Sequence, residues 1–195
     1  SPHAHARIRA IEVQAAGWHP GVVAVITAAE LGNRIQPIPP NAIEGAAVLP
    51  VGHPPLAAGR VRYEGEPVAI VIGDSLAAAL DGALALEVDY EPLPAVTDAR
   101  AAHTVGIQLH EAAPDNVLAR WSRTGGDPDA AFRSAVHVVR GRFHIPRLAG
   151  APLETRGAVA AYDPGGDLLT VWCSMQDPHR PLAQLSRALG RPEDR

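Results

Sequence analysis

Residues 61–94, VRYEGEPVAIVIGDSLAAALDGALALEVDYEPLP, decide the fold class. Val61–Tyr63 and Pro67–Ile72 read as two strands joined around Gly65, the second rich in Val and Ile. Gly65 permits a positive φ, and Pro67 suits the first position of a strand, where no ladder donor is required. Asp74 or Ser75 caps a helix over Leu76–Leu86, in which Leu76, Leu80 and Leu84 share one face. Gly82 in its interior costs about 1 kcal/mol against Ala, which predicts a close packing contact there. Glu87–Glu91 alternates as a strand, and Pro92 and Pro94 end it. Strand, strand, helix, strand in this order predicts an α+β arrangement with helices on one face of a small sheet.

Working toward the N-terminus, ARIRAIEV at residues 6–13 alternates apolar and polar and reads as a strand. Residues 17–20 make a break, after which GVVAVI at 21–26 reads as a buried strand. Thr27 is placed to cap a short helix, Ala28–Leu31. Between Asn33 and Gly59, Pro37, Pro39, Pro40, Pro50, Pro54 and Pro55 remove backbone donors and fix φ, so regular structure is not expected. So long a connection usually marks a docking surface or a functional loop.

Toward the C-terminus, Asp98–Arg123 lacks periodicity and reads as a linker region. Asp127-Pro128 is an acidic cap followed by proline at the first helical position, which predicts a short helix over Asp129–Ala135. VHVVRGRFHI at 136–145 alternates as a long strand. Gly157–Tyr162 and Leu168–Cys173 read as a hairpin turning through Asp163-Pro164-Gly165-Gly166. A closing helix over Leu182–Leu189 carries Leu182, Leu185 and Leu189 on one face, with Gly190 as its C-cap. Its start is open between an Asp177 cap, which places Pro181 inside the helix, and a start at Pro181 itself.

Composition narrows the function classes. The chain has 195 residues, 47% hydrophobic and 19% charged, which is globular composition. Aromatic residues make up only 4%, so its core must be built from Ala, Val, Leu and Ile. All 17 basic residues are Arg and the net charge is -4, which argues against binding a nucleic-acid backbone. Cys173 is the sole cysteine. No intrachain disulfide can form, and the chain cannot by itself hold an iron–sulfur cluster or a zinc–thiolate site. No uninterrupted apolar run is longer than that of Val68–Ile72, which is too short for a membrane span. No secretory signal is visible, and a cytoplasmic location is expected.

Few residues suit chemistry. Gln176 leaves a strand and precedes a helix, so its amide can donate and accept at a sheet edge, with the helix's positive end favouring anions. The plainer reading is a glutamine that satisfies loop amides. Glu154, Thr155 and Arg156 form a charged patch most simply read as a structural carboxylate–guanidinium pair. His3 and His5 share a face if extended, yet no third ligand follows them. Gly125-Gly126-Asp127 lacks the spacing of a phosphate loop. Cys173 reads as a small buried hydrophobe.

SPHAHARI at 1–8, VRYEGEPVAIVIGDSLAAA at 61–79 and AGAPLETRGAVAAYDPGGDLLTVWCSMQDPH at 149–179 carry a resemblance. Over nearly the whole chain, the sequence resembles the large, molybdenum-binding subunit of the xanthine dehydrogenase, aldehyde oxidase and carbon monoxide dehydrogenase family. The resemblance implies an α/β-hammerhead domain over residues 1–105, a linker at 106–126 and the incomplete start of a molybdopterin-binding domain over 127–195. It gives Gly65-Glu66-Pro67-Val68-Ala69 a folding role and His3 and His5 no metal. It places Gln176 at a Ser/Thr-x-Gln position whose amide hydrogen-bonds an oxygen ligand of the molybdenum. Glu154 to Arg156 matches a similar family element, read as support for the cofactor-facing loop. No residue matches the family's catalytic glutamate, so no catalytic residue and no direct metal ligand is assigned.

The implied cofactor is molybdenum held by molybdopterin, in its cytosine dinucleotide form, with 2Fe-2S clusters and FAD on partner subunits or domains. The implied reaction oxidises an aldehyde, an N-heterocycle or carbon monoxide with oxygen from water. The chain is expected to be a fragment, inactive alone. The alternative is a non-catalytic docking module from a split or decayed subunit.

Overall fold

A computed structural model describes residues 1–146, 148 and 150–195. The chain divides into two compact units. The first comprises Ser1–Arg120 with Asp177–Asp194, and the second Trp121–Gln176 with Arg195.

The first unit is α+β. β1 (Ala6–Glu12) is followed by α1 (Gln14–Gly17), β2 (Val22–Thr27) and α2 (Ala28–Leu31). Then come β3 (Ala47–Val48), β4 (Arg60–Val61), β5 (Ala69–Gly73), α3 (Leu76–Leu84), β6 (Glu87–Pro92) and β7 (Ala119–Arg120). β1 lies between β4 and β6, antiparallel to both, with a bulge between Ile8 and Ala10. β2 pairs antiparallel with β5, and β3 with β7. The two strands flanking Gly65 thus part company: β4 joins β1, while β5 joins β2. Gly65 makes that departure at φ +85°, the left-handed conformation its sequence position suggested.

The core is small, as the composition requires. Ala6, Ala57 and Val61 are fully buried, and Ile8, Val68 and Tyr90 pack against them. Glu66, itself buried, accepts from the Arg62 amide at 2.5 Å, and its carbonyl accepts from the N-terminal ammonium at 3.0 Å. His5 is buried with Nδ1 2.7 Å from the Pro94 carbonyl, and the His3 ring meets Tyr90 edge-on at 5.0 Å. The two histidines therefore serve different contacts.

α3 is capped by Ser75, whose hydroxyl accepts from the Ala78 amide, and it ends at Leu84, two residues short of the expected Leu86. The face it buries is not the leucine face. Ala78 and Gly82 are buried, whereas Leu76, Leu80 and Leu84 are exposed. Gly82 explains the inversion: a Cβ there would lie 2.6 Å from Val22 Cγ2 and 3.1 Å from Val71 Cγ1. The helix lies so close to the β2–β5 pair that only small side chains fit between them, and the leucines turn outward. α1, a short helix just before the expected break at 17–20, puts Ala16 into the same packing.

The proline-rich 33–59 stretch is irregular apart from β3 and an isolated bridge between Ile38 and His53. Residues 98–120 are tied together by Asn116. Its amide donates to the carbonyls of Ala102 and Ile107 and accepts from the Leu109 amide.

The second unit holds α4 (Pro128–Ser134), capped by Asp127, and the hairpin β8 (Ala158–Asp163) and β9 (Leu168–Cys173). The turn forms as its residues suggested, with the Asp163 carboxylate accepting from the amides of Gly165 and Gly166. The expected strand over 136–145 does not form. Alternation alone cannot make a strand; its backbone needs a ladder partner, and among the described residues none pairs with it. Val136, Val139, Phe143 and Ile145 are each more than four-fifths exposed. α5 (His179–Leu189) returns the chain to the first unit, where the Ala188 carbonyl accepts from the Gln36 amide at 2.7 Å.

Candidate functional site

β9 delivers the chain to Gln176. Its ladder with β8 ends at the Ala158–Cys173 pair, so Ser174, Met175 and Gln176 run on without cross-strand partners. The Ser174 hydroxyl donates to Glu154 Oε1 at 2.5 Å, twenty residues away in sequence. That length is typical of a hydroxyl bound to a carboxylate. Gln176 itself is exposed, and its amide has no hydrogen-bond partner among the described residues. It does not satisfy loop amides; both its donor and acceptor functions are free for a ligand.

Three expectations near this site need correction. Glu154 does not pair with Arg156; its partner is the Ser174 hydroxyl, which lies across from it at the exit of β9. Cys173 is exposed, as are Val159 and Trp172 of the same hairpin. The N-terminus of α5 offers no vacant anion site, since Asp177 Oδ1 accepts from the amides of His179 at 3.1 Å and Arg180 at 2.9 Å. The open question of the helix start is settled at His179. Pro181 falls in the first turn, where a missing N–H costs nothing.

Sequence reasoning found Gln176 and Glu154 separately and missed Ser174, which links the glutamine's strand exit to the carboxylate. A hydroxyl two residues before Gln176 was the available signal. Among the described residues, no group of three or more His, Cys, Asp or Glu side chains could hold a metal ion. No helix among them is long and apolar enough to cross a membrane.

Comparison with known proteins bears on the family and the fold. Residues 1–94 match the family model described as aldehyde oxidase and xanthine dehydrogenase, a/b hammerhead domain. Residues 109–195 match that of the molybdopterin cofactor-binding domain. The nicotine 6-hydroxylase large subunit of Paenarthrobacter nicotinovorans is 40% identical over 100% of this chain and 24% of its own length. The carbon monoxide dehydrogenase large chain of Afipia carboxidovorans is 34% identical over 99% of this chain and 25% of its own. The crystal structure of quinoline 2-oxidoreductase from Pseudomonas putida 86 superposes with a TM-score of 0.86 at 37% identity. That match covers 99% of this chain and 24% of the other. The chain thus spans about a quarter of the length of these three relatives.

Proposed function

The chain belongs to the xanthine dehydrogenase, aldehyde oxidase and carbon monoxide dehydrogenase family, and from that premise we propose that it serves a molybdenum hydroxylase. In this reading it supplies the hammerhead domain and the opening of the cofactor-binding domain of a large subunit, with residues 1–105 and 127–195 as the two parts. The observation that carries the proposal is the exposed, unpartnered amide of Gln176 at the end of β9.

The side chains present fit such a cofactor in one respect. A free primary amide suits an oxygen-bearing group, to which Gln176 Nε2 would donate while Oε1 accepts from a bound substrate. The metal's ligands need not come from this chain, because a pterin, in the cytosine dinucleotide form, would carry it. When bound, that group supplies the Lewis-acid and redox chemistry. The overall change is the replacement of a substrate C–H hydrogen by hydroxyl from water, or the conversion of carbon monoxide to carbon dioxide. Either releases two electrons and two protons. The electrons would pass through two iron–sulfur clusters to FAD on partner subunits, since a chain with one cysteine holds no such cluster alone. The setting would be cytoplasmic.

Among the three substrate classes we favour an aromatic N-heterocycle. The names of nicotine 6-hydroxylase and quinoline 2-oxidoreductase support that choice.

The test is the complete large subunit assembled with its partners and loaded with molybdenum. Substrate-dependent dye reduction on N-heterocycles, with oxygen-18 entering the product from labelled water, is the expected result. Gln176→Ala should lower turnover by roughly 10²-fold, the usual effect of removing one preorganised donor. Unchanged turnover at equal molybdenum content would refute the assignment.

A further inference from the structure

We infer that Glu154 and Ser174 form a positioning pair that aims Gln176. The inference rests on the reading of Gln176 given above and adds two residues that touch neither cofactor nor substrate.

The geometry is local to the second unit. The β8–β9 ladder fixes the backbone as far as Cys173 and no further. Beyond it the chain must turn so that residue 176 presents its amide, and three consecutive exposed residues without ladder bonds have many ways to do so. Ser174 is the first of these, and its hydroxyl is tied to Glu154 Oε1 at 2.5 Å. Glu154 precedes β8, and Ser174 follows β9, so the bond closes the open end of the hairpin opposite its Asp163–Gly166 turn. Held through its side chain one residue beyond the ladder, Ser174 leaves mainly the torsions of residues 175 and 176 to set the direction of the glutamine. Glu154 also explains why a carboxylate stands beside Arg156 without pairing to it.

A clamp of this kind has a chemical signature. Ser174→Thr and Ser174→Val have nearly equal volume and both suit extended backbone, yet only threonine keeps the hydroxyl. Glu154→Gln keeps an acceptor oxygen, and Glu154→Leu removes it. In the loaded holoenzyme, the readouts are the electron paramagnetic resonance signal of partly reduced molybdenum, and kcat resolved from KM. Ser174→Val and Glu154→Leu are each expected to shift the signal at unchanged molybdenum content. Each should lower kcat by roughly ten-fold, the scale of one charge-assisted hydrogen bond. The double variant should be no worse than either alone, because both remove the same bond. Ser174→Thr should retain the native signal and Glu154→Gln most of it.

The outcomes separate the two readings. If Gln176→Ala shifts the signal while Ser174→Val and Glu154→Leu do not, the glutamine contacts the cofactor and the positioning pair is refuted. If Gln176→Ala leaves the signal unchanged, the assignment of Gln176 falls first and the pair with it. Should Ser174→Val or Glu154→Leu lose molybdenum without altering the signal of the fraction that remains, the bond only holds the fold and the inference is overturned.

Discussion

The β2–β5 and β8–β9 pairs are both antiparallel, both rich in aliphatic side chains, and fare oppositely. β2 and β5 are joined across forty-odd residues, and α3 lies on them closely enough to exclude a Cβ at Gly82. β8 and β9 are joined by a four-residue turn, and all six residues of β8 are exposed. No residue described in the second unit is buried. A hairpin can be written locally, by a turn and two alternating runs, whereas a core needs a second layer to arrive from elsewhere. This hairpin has its pairing without its packing.

The largest expected consequence is a difference in what a charge does. Val61 is fully buried against Ala6 and Ala57, so Val61→Asp should destabilise the first unit by at least about 3 kcal/mol in denaturant titration. Val159→Asp, on an exposed strand, should change stability by no more than about 0.5 kcal/mol. Equal effects would mean that β8–β9 hides a core in solution, and the contrast would collapse.

A sharper version stays within α3. Gly82→Val would force side-chain atoms into Val22 and Val71 and should cost about 1–3 kcal/mol. Leu80→Gln, two residues away on the outward face, should cost within about 0.5 kcal/mol. The reverse ranking, read from thermal or chemical unfolding, would mean that the helix packs on its leucines after all.

The same helix shows how far the sequence could be read. The element was legible because its cap, length and termination are written in residues 74–86. Which face it buries was not, because leucine spacing reports an apolar stripe and says nothing of how near a sheet will come. Gly82 carried that information, and the close contact it predicted is present. In the second unit the Asp163–Gly166 turn was legible for the same local reason, while residues 136–145 carried the pattern of a strand and no partner to pair with. At the candidate site, Gln176 stood out by its position after β9. Its tether through Ser174 to Glu154 joins residues twenty apart, and no spacing rule encodes it.

The smallest expected effect is electrostatic and again belongs to the first unit. His110 is half-buried, and burial, together with the charges of Arg62 and the exposed His53, holds its imidazole below the ordinary value. Arg62 is fixed there by its Nε–H, which donates to the Leu109 carbonyl at 2.8 Å. Protonation is therefore easier in the unfolded chain than in the folded one. Above about pH 6.5 both states carry neutral imidazole and the folded unit keeps its full stability. As the pH falls from there toward the lowered folded value, the unfolded state takes up the proton first and stability declines. Protection factors of the β1, β4 and β6 amides, corrected for the intrinsic pH dependence of exchange, should fall over that window, and His110→Gln should flatten the dependence. A slope that survives His110→Gln would move its origin to another group. A matching slope in the β8–β9 amides would mean that the two regions unfold together and that their difference in burial does not separate their stabilities.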